Sequence, residues 1–253
     1  MNKPLVLKSI AEYDSFRKHV KGTVGFVPTM GALHAGHASL LKQSVHENDS
    51  TVLSIFVNPT QFNDPQDLEK YPRTFEADFA LAAECGVAAV FYPDYKEMYP
   101  DNYRYVMTEN SFSKILCGAA RPGHFDGVLS VVMKLLNIVK PQKAYFGEKD
   151  FQQLRLIEDM TKAFFMPLEI RRGPTLRESS GLAMSSRNTR LSKEGRGKAA
   201  LIYKTITTAK SAVEAQNILN EAGFKVDYLE EIDGRRFVAA FLEGVRLIDN
   251  VTI

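Results

Sequence analysis

Two histidines, His34 and His37, stand three residues apart in the string Pro28-Thr29-Met30-Gly31-Ala32-Leu33-His34-Ala35-Gly36-His37. At that spacing they share one face of a helical turn. The apolar run Thr23-Val24-Gly25-Phe26-Val27 precedes the string and reads as a buried strand. Residues 38–45 carry apolar side chains at helical spacing. The stretch is therefore a strand, a glycine turn and a helix N-terminus. Gly31 and Gly36 let backbone approach a ligand closely. The first helical turn has unpaired N–H groups and a partial positive charge, so it suits an anion such as phosphate. Two imidazoles there can donate to a polyphosphate and stabilise the charge that develops when it is cleaved. Half of a metal site is the alternative, but zinc wants further ligands and no Cys lies nearby.

Four further sets of residues could serve chemistry beside that junction. The apolar strand 51–57 ends in Asn58-Pro59-Thr60-Gln61-Phe62. Polar residues at the carboxyl end of such a strand sit where open α/β sheets bind ligands. Asn58 and Gln61 each donate and accept, which suits a hydroxy acid. The loop 116–127 carries Arg121 and His124 and leads into a helix over 128–139 that is apolar almost all round, hence buried. The strand 143–146 ends in Gly147-Glu148-Lys149-Asp150. Gly147 admits a ligand to backbone, and Lys149 is a compact charge for phosphate. Asp150 can accept from ribose hydroxyls, cap the following helix, or both. Gln153 lies one turn into that helix. In the string 176–188, Ser185 and Arg187 are suited to clamp phosphates.

The elements that hold these residues follow from the same patterns. Residues 4–20 read as an amphipathic helix with Leu7, Ile10, Tyr13 and Phe16 on one side. A helix over 75–84 closes at Gly86, and strands are predicted over 87–93 and 168–172. This alternation predicts an α/β fold, a Rossmann-like doubly wound parallel sheet of about five strands. After Leu191 the pattern changes to helix over 193–222 and strands over 226–231 and 237–242. That predicts a second, smaller α+β C-terminal domain. The boundary falls at the Gly173-Pro174 break, giving residues 1–174 and 175–253, the latter a lid.

Composition excludes other classes. The chain has 253 residues, 45% hydrophobic and 25% charged, as in an ordinary globular protein. A net charge of +2 points to neither nucleic acid nor a membrane surface as partner. Cys85 and Cys117 make no disulfide framework and fit a reducing, cytoplasmic setting. No run of about 18 apolar residues predicts a membrane span, and residues 1–20 carry no signal-peptide core.

His-x-Gly-His after a strand resembles the signature of the nucleotidylyltransferase superfamily. The longer string from Pro28 to His37 is similar to the pantoate–β-alanine ligase family, the pantothenate synthetases. Agreement continues at Phe56–Phe62, Tyr71-Pro72-Arg73-Thr74, Lys96–Pro100, Arg121–Phe125, Gly147–Gln153 and Leu176–Asn188. The resemblance covers nearly all of residues 22–192. It implies an ATP-dependent, AMP-forming condensation of pantoate with β-alanine. It carries ATP to Met30, Gly31, His34, His37, Gly147, Glu148, Lys149, Asp150, Leu176, Met184, Ser185, Ser186 and Arg187. It carries pantoate to Gln61 and Gln153, with Asn58, Arg121 and His124 on the pantoate/β-alanine side. His34, His37, Lys149, Ser185 and Arg187 are the implied catalytic set. Magnesium is implied on the triphosphate, reached by Asp78 through water, and a homodimer is implied as the assembly. Two positions depart from the family: Thr60 stands where Met is common and would soften the pantoate pocket wall, and Ser180 replaces an acidic residue. Two rival readings are an adenylyltransferase and a non-catalytic nucleotide-binding regulator. The amide pair Gln61 and Gln153 argues against the first, and Lys149 and Arg187 together with both histidines against the second.

Overall fold

The computed structural model describes residues 3–253. Its first part alternates strand and helix: β1 (Leu5–Leu7), α1 (Ile10–His19), β2 (Val24–Thr29), α2 (Ala35–Glu47), β3 (Ser50–Ile55), α3 (Pro65–Glu69), α4 (Phe75–Glu84), β4 (Ala89–Phe91) and α5 (Tyr95–Met98). It continues through α6 (Cys117–Ala120), α7 (His124–Val139), β5 (Lys143–Gly147), α8 (Phe151–Ala163) and β6 (Glu169–Gly173). The strands form one six-stranded parallel sheet in the order β1-β4-β3-β2-β5-β6. From β2 the chain winds outward through β3 to β4, then returns to lay β5 and β6 on the other side. The winding therefore reverses between β2 and β5, and a crevice opens at their carboxyl ends.

Successive strand residues feed opposite faces of the sheet. Phe26 and Val52 pack with Leu129, Leu136 and Leu154 on one side. Val27 and Leu53 pack with Leu41, Val90 and Tyr145 on the other. Helix α7 buries residues around most of its circumference, as its apolar sequence predicts. Its Gly127 abuts the turn after β3: a Cβ there would lie 2.4 Å from the Thr60 carbonyl oxygen. Only glycine lets the helix press on the segment that carries Gln61.

The remainder is a smaller α+β unit of α9 (Lys193–Ala199), α10 (Leu201–Thr208), α11 (Ala212–Glu221), β7 (Lys225–Ile232), β8 (Arg235–Leu242) and β9 (Val245–Thr252). Its strands form an antiparallel sheet, β7-β8-β9. Its own core gathers Leu182, Ile202, Ile206, Leu219, Val238 and Leu247. Doubly wound parallel sheet and small α+β unit are as the sequence predicts.

Two local expectations need correction. The helix expected over 4–20 is a strand followed by a helix. Leu5-Val6-Leu7 pairs in parallel with Ala89-Val90-Phe91, adding a sixth strand. The helix starts only after Ser9, whose Oγ accepts from Glu12 N at 3.1 Å. Helical periodicity over a short mixed run does not exclude a three-residue strand when a free sheet edge offers partners. The buried helix expected from 128 starts at His124, after Gly123 in the left-handed region at φ +78°. His124 thus sits on a rigid first turn. The last segment, Val245–Thr252, to which the sequence patterns assign no element, is a full strand.

Candidate functional site

The turn after β2 is held from below. Gly31 lies at φ +81°, and a Cβ there would come within 2.9 Å of the Asp78 carboxylate. Asp78, 2% exposed, accepts from the backbone N–H of Ala32 at 2.9 Å and of Leu33 at 2.7 Å. The Thr74 hydroxyl donates to the same carboxylate. Both oxygens are engaged by the turn, and Asp78 is absent from the cavity wall. Its geometry is that of a turn anchor.

That turn delivers the two imidazoles. His34 caps α2, its Nδ1 accepting from Gly36 N at 3.1 Å. His37 Nδ1 accepts from His34 N at 3.3 Å. Accepting through Nδ1 requires that position to be unprotonated, so each neutral ring carries its proton on Nε2. The rings lie 4.1 Å apart between centroids and both border the cavity. Burial, then the neighbouring His34, holds the His37 pKa down at about 3. Burial and Lys149 lower that of His34. Two neutral N–H donors thus sit at a helix N-terminus.

The acid side is built after β3. Asn58, 1% exposed, donates from Nδ2 to the Gly127 carbonyl at 3.2 Å and to Gln61 Oε1 at 3.0 Å. Its Oδ1 accepts from the Tyr99 hydroxyl at 2.9 Å and from Thr60 Oγ1 at 3.0 Å. A backbone carbonyl only accepts, so Gly127 fixes which way the Asn58 amide points. Asn58 in turn consumes Oε1 of Gln61 and leaves the Gln61 Nε2 donor for the cavity. Every polar atom of the Asn58 side chain is engaged within the protein, so Asn58 orients Gln61. Thr60 is bonded into this network and is not part of the cavity wall.

Arg121 and His124 grip the same segment. Arg121 Nη2 donates to the Gln61 carbonyl at 3.1 Å, and His124 Nδ1 donates to it at 2.8 Å. His124 Nε2 accepts from Arg121 Nη1 at 3.1 Å. Burial, then the guanidinium, pushes the His124 pKa down to about 3. Burial, then the Arg187 charge, lowers that of Arg121 to about 10.

The turn after β5 supplies the opposite wall. Nothing lies within 4 Å of where a Gly147 Cβ would stand, so a ligand can reach the backbone there. Lys149 Nζ stands 3.8 Å from Asp150 Oδ1. Asp150 makes no side-chain bond to the helix start, so its carboxylate stays available and the capping expectation fails. Adjacent glutamines part company on α8. Gln152 is buried, donating to the Phe112 and Ile115 carbonyls and accepting from Cys117 N. Gln153 faces the cavity.

The string after β6 closes the ring. Met184 N donates to the Leu176 carbonyl at 2.9 Å. Ser185 Oγ accepts from Arg187 N at 3.2 Å. Of the predicted residues, Gly31, Glu148 and Asp78 stay outside the wall; the others, from Met30 through Ser186 and Arg187, line one cavity of about 250 Å³. A larger chamber of about 560 Å³ adjoins it toward the C-terminal sheet, sharing Arg121, His124, Lys149, Gln153 and Arg187. Tyr71 also lines the smaller cavity, and Asp67 the larger. Tyr71 opens one of the family-like strings but carried no assigned role, and Asp67 carried no motif signal.

Fold and site together define an α/β nucleotide-binding protein with its site at the sheet's switch point. The sequence family described as pantoate–β-alanine ligase matches residues 5–252. A pantothenate synthetase of Bdellovibrio bacteriovorus is 62% identical over 98% of this chain and 99% of its own. One from Legionella pneumophila strain Lens is 49% identical over 97% and 98%. A crystal structure of the Francisella tularensis pantoate–β-alanine ligase, complexed with β,γ ATP and β-alanine, superposes at a TM-score of 0.94. It is 41% identical and covers 98% of this chain and 97% of that one. The chain belongs to the pantoate–β-alanine ligase family.

Proposed function

We propose that this chain joins pantoate to β-alanine at the expense of ATP, through a pantoyl adenylate, releasing AMP and pyrophosphate. One observation carries the reading: neutral, donor-tipped imidazoles at a helix N-terminus share a cavity with the amides of Gln61 and Gln153. The imidazoles suit a polyphosphate and the amides suit a hydroxy-carboxylate. Family membership supports the same assignment.

In the first step a pantoate carboxylate oxygen attacks the α-phosphorus of ATP. The bond from that phosphorus to its bridging oxygen breaks, and pyrophosphate departs with the electron pair. His34 and His37 donate to oxygens that gain charge, while Lys149, Ser185 and Arg187 hold the β- and γ-phosphates. Gly147 and Asp150 receive the ribose, with Met30, Leu176 and Met184 around the nucleoside. Gln61 and Gln153 orient pantoate. In the second step the free amine of β-alanine attacks the acyl carbon, AMP leaves, and the amine proton passes to solvent. No protein nucleophile is required; positioning and charge stabilisation do the work.

ATP enters as its magnesium complex. Among the described residues no group of three or more His, Cys, Asp and Glu could hold a metal. Phosphate oxygens and water would supply most of the ion's ligands, as is usual for magnesium on a nucleotide. Residues 1–174 carry most of the substrate contacts, and residues 175–253 cover the cleft and add the phosphate clamp of Ser185 and Arg187. The working assembly is a homodimer, open to test by sedimentation. The buried free thiols Cys85 and Cys117 suit a cytoplasmic setting. Among the described residues no helix is long and apolar enough to cross a membrane.

ATP–pyrophosphate exchange tests the assignment. Exchange should require pantoate and fall away with other hydroxy acids. Exchange that proceeds without an acid, or that never occurs with pantoate, overturns it.

A further inference from the structure

Strand β9 carries two adjacent buried polar residues, Asp249 and Asn250, for which a sheet core has no need. Asn250 is 5% exposed. Its Nδ2 donates to the carbonyls of Glu148 at 3.0 Å and Lys149 at 2.9 Å. Its Oδ1 accepts from Arg235, whose guanidinium lies 3.8 Å over the Phe151 ring. The Asn250 amide is thereby saturated, and its two donors close on the turn that carries Lys149. Asp249 makes a two-pronged ion pair with Arg177, at 2.6 Å and 3.0 Å. Arg177 bridges to Ala183 at the neck of the turn that joins Leu176 to Met184 and Ser185. Neighbouring residues of a strand face opposite ways. One short segment of the C-terminal sheet therefore grips both loops on the nucleotide side of the cavity.

We propose that Asn250 is a positioning residue for nucleotide activation, setting the backbone of the Glu148–Lys149 turn so that the Lys149 ammonium meets the phosphates, with Asp249 locking the second loop to the same strand. The inference rests on the reading of Lys149 as a phosphate ligand. Without the two N–H donors the turn's carbonyls lose their anchors, and Lys149 loses its fixed origin. A misplacement of about 1 Å in such a group can cost about 10²-fold in rate.

The test is a double-mutant cycle on ATP–pyrophosphate exchange, with ATP and pantoate titrated calorimetrically. Asn250→Asp keeps the shape and removes both donors; Asn250→Ala removes the whole amide. Each should lower exchange about 10- to 100-fold and weaken ATP while pantoate binding stays put. In a Lys149→Ala background the same changes should cost little more, because the group they position is gone. Lys149→Ala that leaves exchange intact defeats the reading of Lys149 itself. An equal fold-loss from Asn250→Asp with and without Lys149 defeats the positioning role alone. Should either variant melt below the assay temperature, Asp249→Asn supplies the second arm: it should weaken ATP and spare pantoate, and equal losses for both ligands overturn the coupling.

Discussion

Arg187 and Asp67 form an ion pair across the mouth of the cleft, Nη2 to Oδ2 at 3.2 Å, while Arg190 takes the other carboxylate oxygen at 2.8 Å. Burial pushes the Asp67 carboxyl up, but the two guanidiniums outweigh it and hold its pKa below the ordinary range. The proposed phosphate clamp is thus held by a carboxylate of α3. ATP must displace that carboxylate to recruit Arg187. Part-exposed pairs of this kind are worth about 0.2–1 kcal/mol. Asp67→Asn should therefore tighten a non-hydrolysable ATP analogue by up to about fivefold. The gain should shrink at high salt. Calorimetry on both forms measures it, and weaker binding in the variant would count against the competition.

The protonation of His34 and His37 gives a pH signature. Both rings accept backbone N–H bonds through Nδ1, so charging either ring breaks a contact of the helix cap. The His37 pKa lies at about 3 in the folded chain against an ordinary 6.5. Below pH 6.5 the unfolded chain binds protons that the folded chain refuses. The stability from this site is therefore complete above pH 6.5 and drains away as pH falls from there toward 3. His124 acts in the same direction. Thermal unfolding from pH 8 to pH 4 should follow that slope. Pyrophosphate exchange should have no ordinary histidine inflection, and His37→Ala should lose about 10²–10³ in turnover. An acid limb centred on an ordinary histidine value, abolished by His37→Ala, would reverse the assignment of neutral donors.

Gln61 and Gln153 are predicted to act on one substrate. Gln61→Ala and Gln153→Ala each remove a hydrogen bond to a charged or hydroxylated ligand, worth about 1.5–3 kcal/mol. Pantoate should weaken by about 10- to 150-fold and ATP by far less. Asn58→Ala should act like a milder Gln61 variant, because it frees the amide to turn. Separate titrations decide, and equal losses for ATP and pantoate would mean that both amides are misassigned.

What the sequence makes legible follows from locality. The junction at Gly31–His37 is readable because strand, glycine turn and helix start are contiguous, and each has its own residue signature. The same holds for Gly147–Gln153. The anchoring role of Asp78 is hidden because its partners Ala32 and Leu33 lie 46 and 45 residues away. The orienting role of Asn58 is hidden for a similar reason: its partners Tyr99 and Gly127 are brought near only in the folded chain. Asn250 leaves no local mark at all, since its two carbonyl partners are 102 and 101 residues distant. Strand β1 was hidden by a run of apolar residues that also satisfies a helix. Its identity depends on a free edge at β4.

The last prediction concerns motion of the segment after Pro174. Sheet β1–β6 ends at Gly173, whose missing side chain gives room to Leu40: a Cβ there would overlap its Cδ2. Beyond it, the string 175–192 reaches the first unit through one part-exposed link, Asp67 with Arg187 and Arg190, and the C-terminal sheet through the tie of Arg177 to Asp249. The first is weak and salt-sensitive, so the segment can exchange partners. ATP would draw Arg187 from Asp67 onto the phosphates and close the cleft over the acyl adenylate, excluding water until β-alanine arrives. Amide hydrogen exchange over residues 175–192 should therefore slow on adding ATP. Arg187→Ala should slow adenylate formation and also release AMP without matching pantothenate, since an unshielded adenylate hydrolyses. AMP and pantothenate are counted in the same reaction. Tight one-to-one coupling in the variant, together with exchange that ATP leaves unchanged, would remove the lid and leave Arg187 as a static phosphate contact.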